Sequence, residues 1–275
     1  MPVDHGSATR IVLLVGCGKM GSALLRGWIA NHAASQLLVV EPEGPPPELA
    51  DAPNVLCRRT PEELPETAAP EAVVFAVKPQ ILDDVLPSYR RWTHGQTLFV
   101  SIVAGKTIAG IARRLGEASL VRTMPNTPAA IGRSITVACA NERVSVEQRR
   151  FCDELLAAVG ESAWIEDEAL LDAVTAVSGS GPAYVFLLIE ALARAAEVLG
   201  LPPTLALRLA RSTVAGSGEL ARLSRESPAQ LRENVTSPGG TTRAALDILM
   251  ADGGLTALIM RAVAAAAARS RELAS

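Results

Sequence analysis

The sequence predicts an α/β chain: a doubly wound, mostly parallel sheet, followed by an all-helical domain. Three observations carry this. Short apolar, largely β-branched runs alternate with helical stretches through the first part of the chain. The first run, Ile11-Val12-Leu13-Leu14-Val15, leads directly into Gly16-Cys17-Gly18-Lys19-Met20-Gly21. Beyond about Glu166 no strand candidate occurs. A strand entering a Gly-x-Gly-x-x-Gly turn and then a helix marks a Rossmann-type dinucleotide site. The expected domains are residues 1–165 and 166–275.

In order, the strand candidates are Ile11–Val15, Leu37–Val40, Val73–Val77, Thr97–Ile102, Ser119–Arg122 and Ser134–Ala140. Helices are expected over Lys19–Asn31, around Ile81–Arg91 and over Thr107–Leu115, which places helices on both faces of the sheet. Pro42–Pro47 and Pro61–Pro70 read as surface loops. Glu168–Val177, Ala183–Leu199, Thr204–Leu223, Pro228–Asn234, Arg243–Met250 and Leu255–Leu273 read as the helices of the second domain. Ala183–Leu199 is apolar on nearly every side, the pattern of a helix buried in a core or between subunits.

Composition narrows the function. The 275 residues carry a net charge of -3 with only 3% aromatics and no basic block, which argues against nucleic acid as a partner. Cys17, Cys57, Cys139 and Cys152 form no Cys-x-x-Cys pair, and no histidine stands at metal-ligand spacing, so no metal is expected. Unpaired thiols, no signal-length apolar leader and a first apolar run too short to span a bilayer predict a cytoplasmic protein that does not enter a membrane.

The first glycine turn has a separate role for each glycine. Gly16 permits the tight turn, Gly18 lets backbone approach a pyrophosphate, and Gly21 lets helix pack on strand. Glu41 ends the second strand, where an acid would accept a hydrogen bond from the ribose 2′-OH and repel a 2′-phosphate; it thus favours NADH, unless it is a solvated loop residue. The turn Ala76-Val77-Lys78-Pro79 lies beyond a strand's carboxyl end, with Lys78 facing either a phosphate or water. Ala104 and Gly105 are small enough to let a nicotinamide lie against backbone. Met124-Pro125-Asn126-Thr127-Pro128 is a stiff loop with a central amide, suited to holding a ring or simply to turning the chain.

A second turn, Thr236-Ser237-Pro238-Gly239-Gly240-Thr241-Thr242, opens a later helix. Its hydroxyls and free N–H groups could bind a carboxylate, or a threonine could merely cap the helix. Ser178-Gly179-Ser180-Gly181-Pro182 is a third small-residue turn, for packing or for lining the same pocket. The histidines, His5, His32 and His94, sit in no catalytic order. That suits hydride transfer, which needs positioning more than a nucleophile.

In these motifs the chain resembles the pyrroline-5-carboxylate reductases. The early Gly-Cys-Gly-Lys-Met-Gly, Val77-Lys78-Pro79-Gln80, Met124–Pro128, Ser178–Tyr184 and Ser237–Thr242 follow one another in the family's order along nearly the whole chain. The resemblance implies reduction of the cyclic imine 1-pyrroline-5-carboxylate to L-proline by NAD(P)H. It implies that the C-terminal helices dimerise, that dimers can build decamers, and that a partner subunit completes each site. Carried over, Gly16, Cys17, Gly18, Lys19, Met20 and Gly21, with Ala76, Val77 and Lys78 and with Met124, Pro125 and Asn126, hold the cofactor. Ser237, Gly239, Gly240 and Thr241 hold the substrate carboxylate, and Thr242, the expected catalytic residue, bonds the ring nitrogen.

The chain departs from the family at three places. Met250 stands where many relatives have an acid, Glu41-Pro42 where many NADP-using relatives have Asn-Arg, and the following loop is rich in proline. Other readings are a reductase of a related cyclic imine, a two-domain β-hydroxyacid dehydrogenase and a dinucleotide sensor. The second would need a lysine in Ala183–Leu199, which has only Arg194, and the third has no use for the Ser237–Thr242 turn.

Overall fold

The protein is described by a computed structural model over residues 10–274. Residues 1–9, which include His5 and the stretch searched for a leader, lie outside the described residues, as does Ser275. By internal contacts the chain forms two compact units: one runs to Gly179 and takes the chain in again from Ala267, and the other is Ser180–Ala266.

The first unit is built on eight strands: β1 (Ile11–Val15), β2 (Gln36–Val40), β3 (Val55–Arg58), β4 (Ala72–Phe75), β5 (Leu98–Ser101), β6 (Ser119–Met124), β7 (Ser134–Ala140) and β8 (Gly160–Trp164). Their order is β3-β2-β1-β4-β5-β6-β7-β8, parallel throughout except where β7 runs antiparallel to β6. β1 pairs with β2 on one side and β4 on the other, so the order reverses between β1 and β4. A doubly wound sheet opens its ligand crevice at such a point, beyond the strands' carboxyl ends. Gly16 and Ala76 stand there.

Alternation along β1 divides the core. Val12 and Leu14 face one hydrophobic layer and Leu13 and Val15 the other, as expected of a strand covered on both faces. The covering helices are α1 (Lys19–Ala30), the single turn α2 (Pro47–Ala50), α3 (Leu82–Val85), α4 (Ile108–Leu115) and α5 (Val146–Ala157). Gly27 brings α1 against the chain after α5, since a Cβ there would lie 2.7 Å from the Ala158 carbonyl oxygen. The buried indole of Trp28 donates to the Leu155 carbonyl at 2.9 Å.

Several elements differ from the sequence-based expectation. The helix expected over Ile81–Arg91 is α3 followed by a 3₁₀ segment, Leu86–Trp92. Pro87 lacks the N–H that an α-helix would require there. β3 lies between two proline-rich loops and is only half-buried, and β8, Gly-Glu-Ser-Ala-Trp, lacks an apolar run because one face is open at the sheet edge. α5, which is not among the expected helices, starts at a capping box of Ser145 with Gln148.

The helix expected over Glu168–Val177 is a 3₁₀ turn (Glu168–Leu170), α6 (Leu171–Val174) and a π-helical turn (Thr175–Gly179). The sequence division at 165/166 follows the change of element type. The contacts divide the chain at 179/180 because α6 packs on β6 and β7.

The second unit contains α7 (Gly181–Val198), α8 (Pro203–Leu223), α9 (Pro228–Asn234), α10 (Thr241–Leu249) and most of α11 (Leu255–Ala274). α7 and α8 pack as a hairpin through Ala193, Ala206 and Ala210, the buried residues of the pair. Phe186, Leu187 and Leu188 on α7 remain exposed. The last turns of α11 belong to the first unit, where Ser270 Oγ donates to Asp172 Oδ1 at 2.6 Å.

Candidate functional site

The crevice at the strand reversal is a cleft of about 750 Å³ lined by Gly16, Cys17, Gly18, Glu41, Ala76, Val77 and Lys78, among others. Its floor is set by sterics. Gly16 has φ +91°, and a Cβ there would lie 2.8 Å from the Ala76 carbonyl oxygen. A Cβ on Gly21 would strike the Gly16 carbonyl, whereas one on Gly18 would meet nothing within 4 Å. Two glycines are closed against protein and the middle one faces open space, as a turn receiving a pyrophosphate requires. Gly18 caps α1 without a side-chain bond, and no acid lies in the first turn, so these amides can take an anion.

Glu41 is tied to this turn: its Oε2 accepts from the Cys17 N–H at 2.7 Å, and Oε1 from the Glu43 N–H at 3.4 Å. That fixes the carboxylate at the rim, where a sugar hydroxyl could still donate to it. Lys78, in the cleft's lining, and Lys19, which follows Gly18 in the chain, are exposed. The Cys17 side chain enters the core, and burial, with the Glu41 charge second, pushes its thiol up to about 12. It is a neutral packing group at neutral pH. Cys57, Cys139 and Cys152 are likewise unbridged, with thiols raised by burial. No cluster of metal-ligating side chains occurs among the described residues.

A smaller hollow of about 210 Å³ adjoins the cleft through Ala76 and Val77. Met20, Ala104, Met124 and Pro125 line it, as do Pro79, Ile102 and Val103, which stand in the same turns but are not among the expected cofactor residues. Its apolar walls can accept a flat ring. Gly105 and Asn126 are not in the lining. Gly105, at φ +73°, backs onto α11, where a Cβ would lie 3.1 Å from the Leu273 carbonyl oxygen.

Asn126 is 9% exposed, and its side-chain amide is engaged by protein. Nδ2 donates to the Ser178 carbonyl at 3.2 Å, and Oδ1 accepts from Ser134 Oγ at 3.0 Å and the Ile135 N–H at 3.2 Å. It therefore holds the Met124-Pro125 wall against the π-helical turn. A Cβ on Gly179 would strike Met124 Cε, so packing requires that glycine of the third small-residue turn, whereas a Cβ on Gly181 would meet nothing within 4 Å.

The second glycine turn lies in the helical unit. Gly239 has φ +71°, and a Cβ on Gly240 would strike Ser237 Oγ. The cap of α10 is Gly240, without a side-chain bond or a first-turn acid. Thr241 and Thr242 are thus the first two helical residues, and neither caps the helix. Among the described residues the half-buried Thr242 hydroxyl has no hydrogen-bond partner. Open amides and a free hydroxyl on one turn can receive a carboxylate and one further polar atom.

The comparisons with known proteins cover both parts of the chain. Residues 168–273 match the family described as pyrroline-5-carboxylate reductase dimerisation, and residues 10–105 match NADP oxidoreductase, coenzyme F420-dependent. The chain is 40% identical to the pyrroline-5-carboxylate reductase of Synechocystis sp. over 94% of its own length and 97% of that protein. It resembles the solved Coxiella burnetii pyrroline-5-carboxylate reductase with TM-score 0.88 and 33% identity, covering 97% of this chain and 99% of that one. The Plasmodium falciparum pyrroline carboxylate reductase, solved with NADP bound, aligns with TM-score 0.81 and 31% identity over 98% and 100% of the two chains.

Proposed function

The chain belongs to the pyrroline-5-carboxylate reductase family and reduces 1-pyrroline-5-carboxylate to L-proline with NAD(P)H, and from that premise we propose which of its residues carry the reaction. The cofactor's pyrophosphate lies on the Gly16–Gly21 turn, and its nicotinamide end lies in the hollow walled by Ala76, Val77, Ala104, Met124 and Pro125. Gly105 and Asn126 act on that hollow from behind its walls. The single observation that carries the substrate assignment is the first turn of α10, with uncapped amides, no acid and a free Thr242 hydroxyl. The substrate carboxylate sits on Ser237–Thr241 and the imine nitrogen is bonded by Thr242.

The bound cofactor supplies a hydride to the C=N carbon. The protein's part is to hold the imine by its carboxylate, keep its nitrogen oriented by the Thr242 hydroxyl, and close the reacting atoms off from water. An imine protonated from solvent needs no strong acid beside it. Glu41 tilts cofactor choice toward NADH, because its fixed carboxylate accepts a 2′-OH and repels a 2′-phosphate.

The C-terminal helices join copies of this chain into an oligomer. We propose a homodimer as the unit, built on the exposed apolar face of α7, with decamers as the further assembly. The stretch Glu168–Val198 is long and apolar enough to cross a membrane; the subunit contact accounts for its exposed apolar side chains, and the protein is proposed to be cytoplasmic.

The test is oxidation of NADH and NADPH with 1-pyrroline-5-carboxylate as acceptor, read by loss of reduced-nicotinamide absorbance. Substrate-dependent loss that favours NADH in kcat/KM supports the assignment. A preference for NADPH would remove Glu41 from cofactor choice.

A further inference from the structure

Beside Glu41 stands a cation without a partner among the described residues. Strand register sets Arg58 of β3 opposite Val40 of β2, and the Glu41 N–H donates to the Arg58 carbonyl at 3.0 Å. The next residues, Glu41 and Arg59, therefore leave the sheet side by side. Both line the 750 Å³ cleft and an adjoining hollow of about 410 Å³. Opposite charges so placed would ordinarily pair, yet no ion pair joins them among the described residues. Glu41 is held by the Cys17 and Glu43 amides. The Arg58 guanidinium is turned back onto the Cys57 and Glu63 carbonyls at 2.8 and 3.2 Å. Arg59 has only its backbone N–H fixed, by Glu63 Oε2 at 3.1 Å, and its exposed guanidinium has no partner among the described residues.

We infer that Arg59 reads the adenosine ribose 2′ position in opposition to Glu41, binding a 2′-phosphate and so keeping NADPH usable in a cleft that Glu41 tilts toward NADH. A guanidinium meets a phosphate through paired charged hydrogen bonds, which an ammonium cannot reproduce. The cations lining the cleft are Arg59 and Lys78, and Lys78 follows β4 rather than β2 or β3. Glu43 and Glu62 add negative charge to the same walls. A 2′-phosphate entering beside Glu41 thus depends on Arg59. This inference rests on the proposed placing of the adenosine ribose at Glu41.

The test is calorimetric titration of the full-length protein with 2′,5′-ADP and with 5′-AMP, fragments that differ in the 2′-phosphate. In Arg59→Ala the 2′,5′-ADP affinity should fall roughly 10- to 100-fold, as expected for a lost charged hydrogen-bond pair, with a much smaller change for 5′-AMP. Arg59→Lys should recover only part of the loss, and the NADPH-to-NADH ratio of kcat/KM should fall in parallel. Equal changes for both nucleotides, or none, would overturn the role of Arg59 and leave the cleft assignment standing. Failure of both nucleotides to bind the unaltered protein would overturn both.

Discussion

Thr242 is the residue on which the proposed chemistry turns. Its hydroxyl contributes no cap to α10, so Thr242→Ala should leave folding intact. Loss of one hydrogen bond to the reacting group should lower kcat roughly 10-fold, with NADH affinity measured by fluorescence nearly unchanged. An unaltered kcat would place the ring nitrogen elsewhere. With the ribose placed at Glu41 as proposed above, Glu41→Arg exchanges a repelling charge for an attracting one, and the NADPH-to-NADH ratio of kcat/KM should rise by roughly 10-fold or more.

Asn126 behaves differently, because its bonds are internal. Asn126→Ala leaves Ser134 Oγ, the Ile135 N–H and the Ser178 carbonyl short of a partner. The expected cost is about 1–3 kcal/mol of stability, seen as a lower Tm together with weaker cofactor binding. The sequence showed that an amide stood in a stiff loop; it could not show that the amide's partners lie 8, 9 and 52 residues away.

Among the elements, the start of α4 has an unusual support. Glu168 Oε1 accepts from the Ile108 N–H at 2.8 Å and from Arg122 Nη1 at 2.9 Å. The Arg122 side chain is 6% exposed on β6, two residues before the Met124-Pro125 wall. Glu168→Ala would leave that guanidinium buried and unpaired and should destabilise the protein by about 3 kcal/mol in denaturant unfolding. Arg122→Met with Glu168→Leu should restore much of the loss, since the penalty lies in the uncompensated charge. The motif-free stretch after β8 thus braces the start of α4 and the buried Arg122 of β6, a link that local sequence does not announce.

For the whole molecule, association and alkaline stability are the accessible properties. α7 exposes Phe186 at 57% and Leu187 at 63%, an apolar face that the dimerisation match covers. Phe186→Glu with Leu187→Glu should shift the species seen by light scattering to a monomer, and the monomer should be inactive if a partner completes each site. Stability should also fall with alkalinity. Burial holds the Cys17 and Cys152 thiols up near 12, while unfolded thiols ionise at about 8.5. The folded state then binds more protons, so its advantage is complete below the unfolded pKa and is lost as pH rises toward 12. Tm should decline above about pH 9, and less steeply in Cys152→Ala.

Much of this molecule is local and was therefore legible along the chain. A five-residue apolar run followed by three spaced glycines dictates strand, turn and helix through backbone sterics alone, and β1 and β7 have the bounds that periodicity predicts. β3, β8 and α5 escaped because a half-covered strand and a mostly polar helix carry little apolar signal. Only the tertiary structure decided which groups are spent and which are free. Gly240 rather than a threonine caps α10, Asn126 is consumed by its neighbours, and Glu41 and Arg59 stand side by side with no ion pair between them among the described residues. The physical reason is that propensity and sterics act between residues adjacent in sequence. Hydrogen-bond partners and charge neighbours are chosen by strand register and packing among residues that are distant in it.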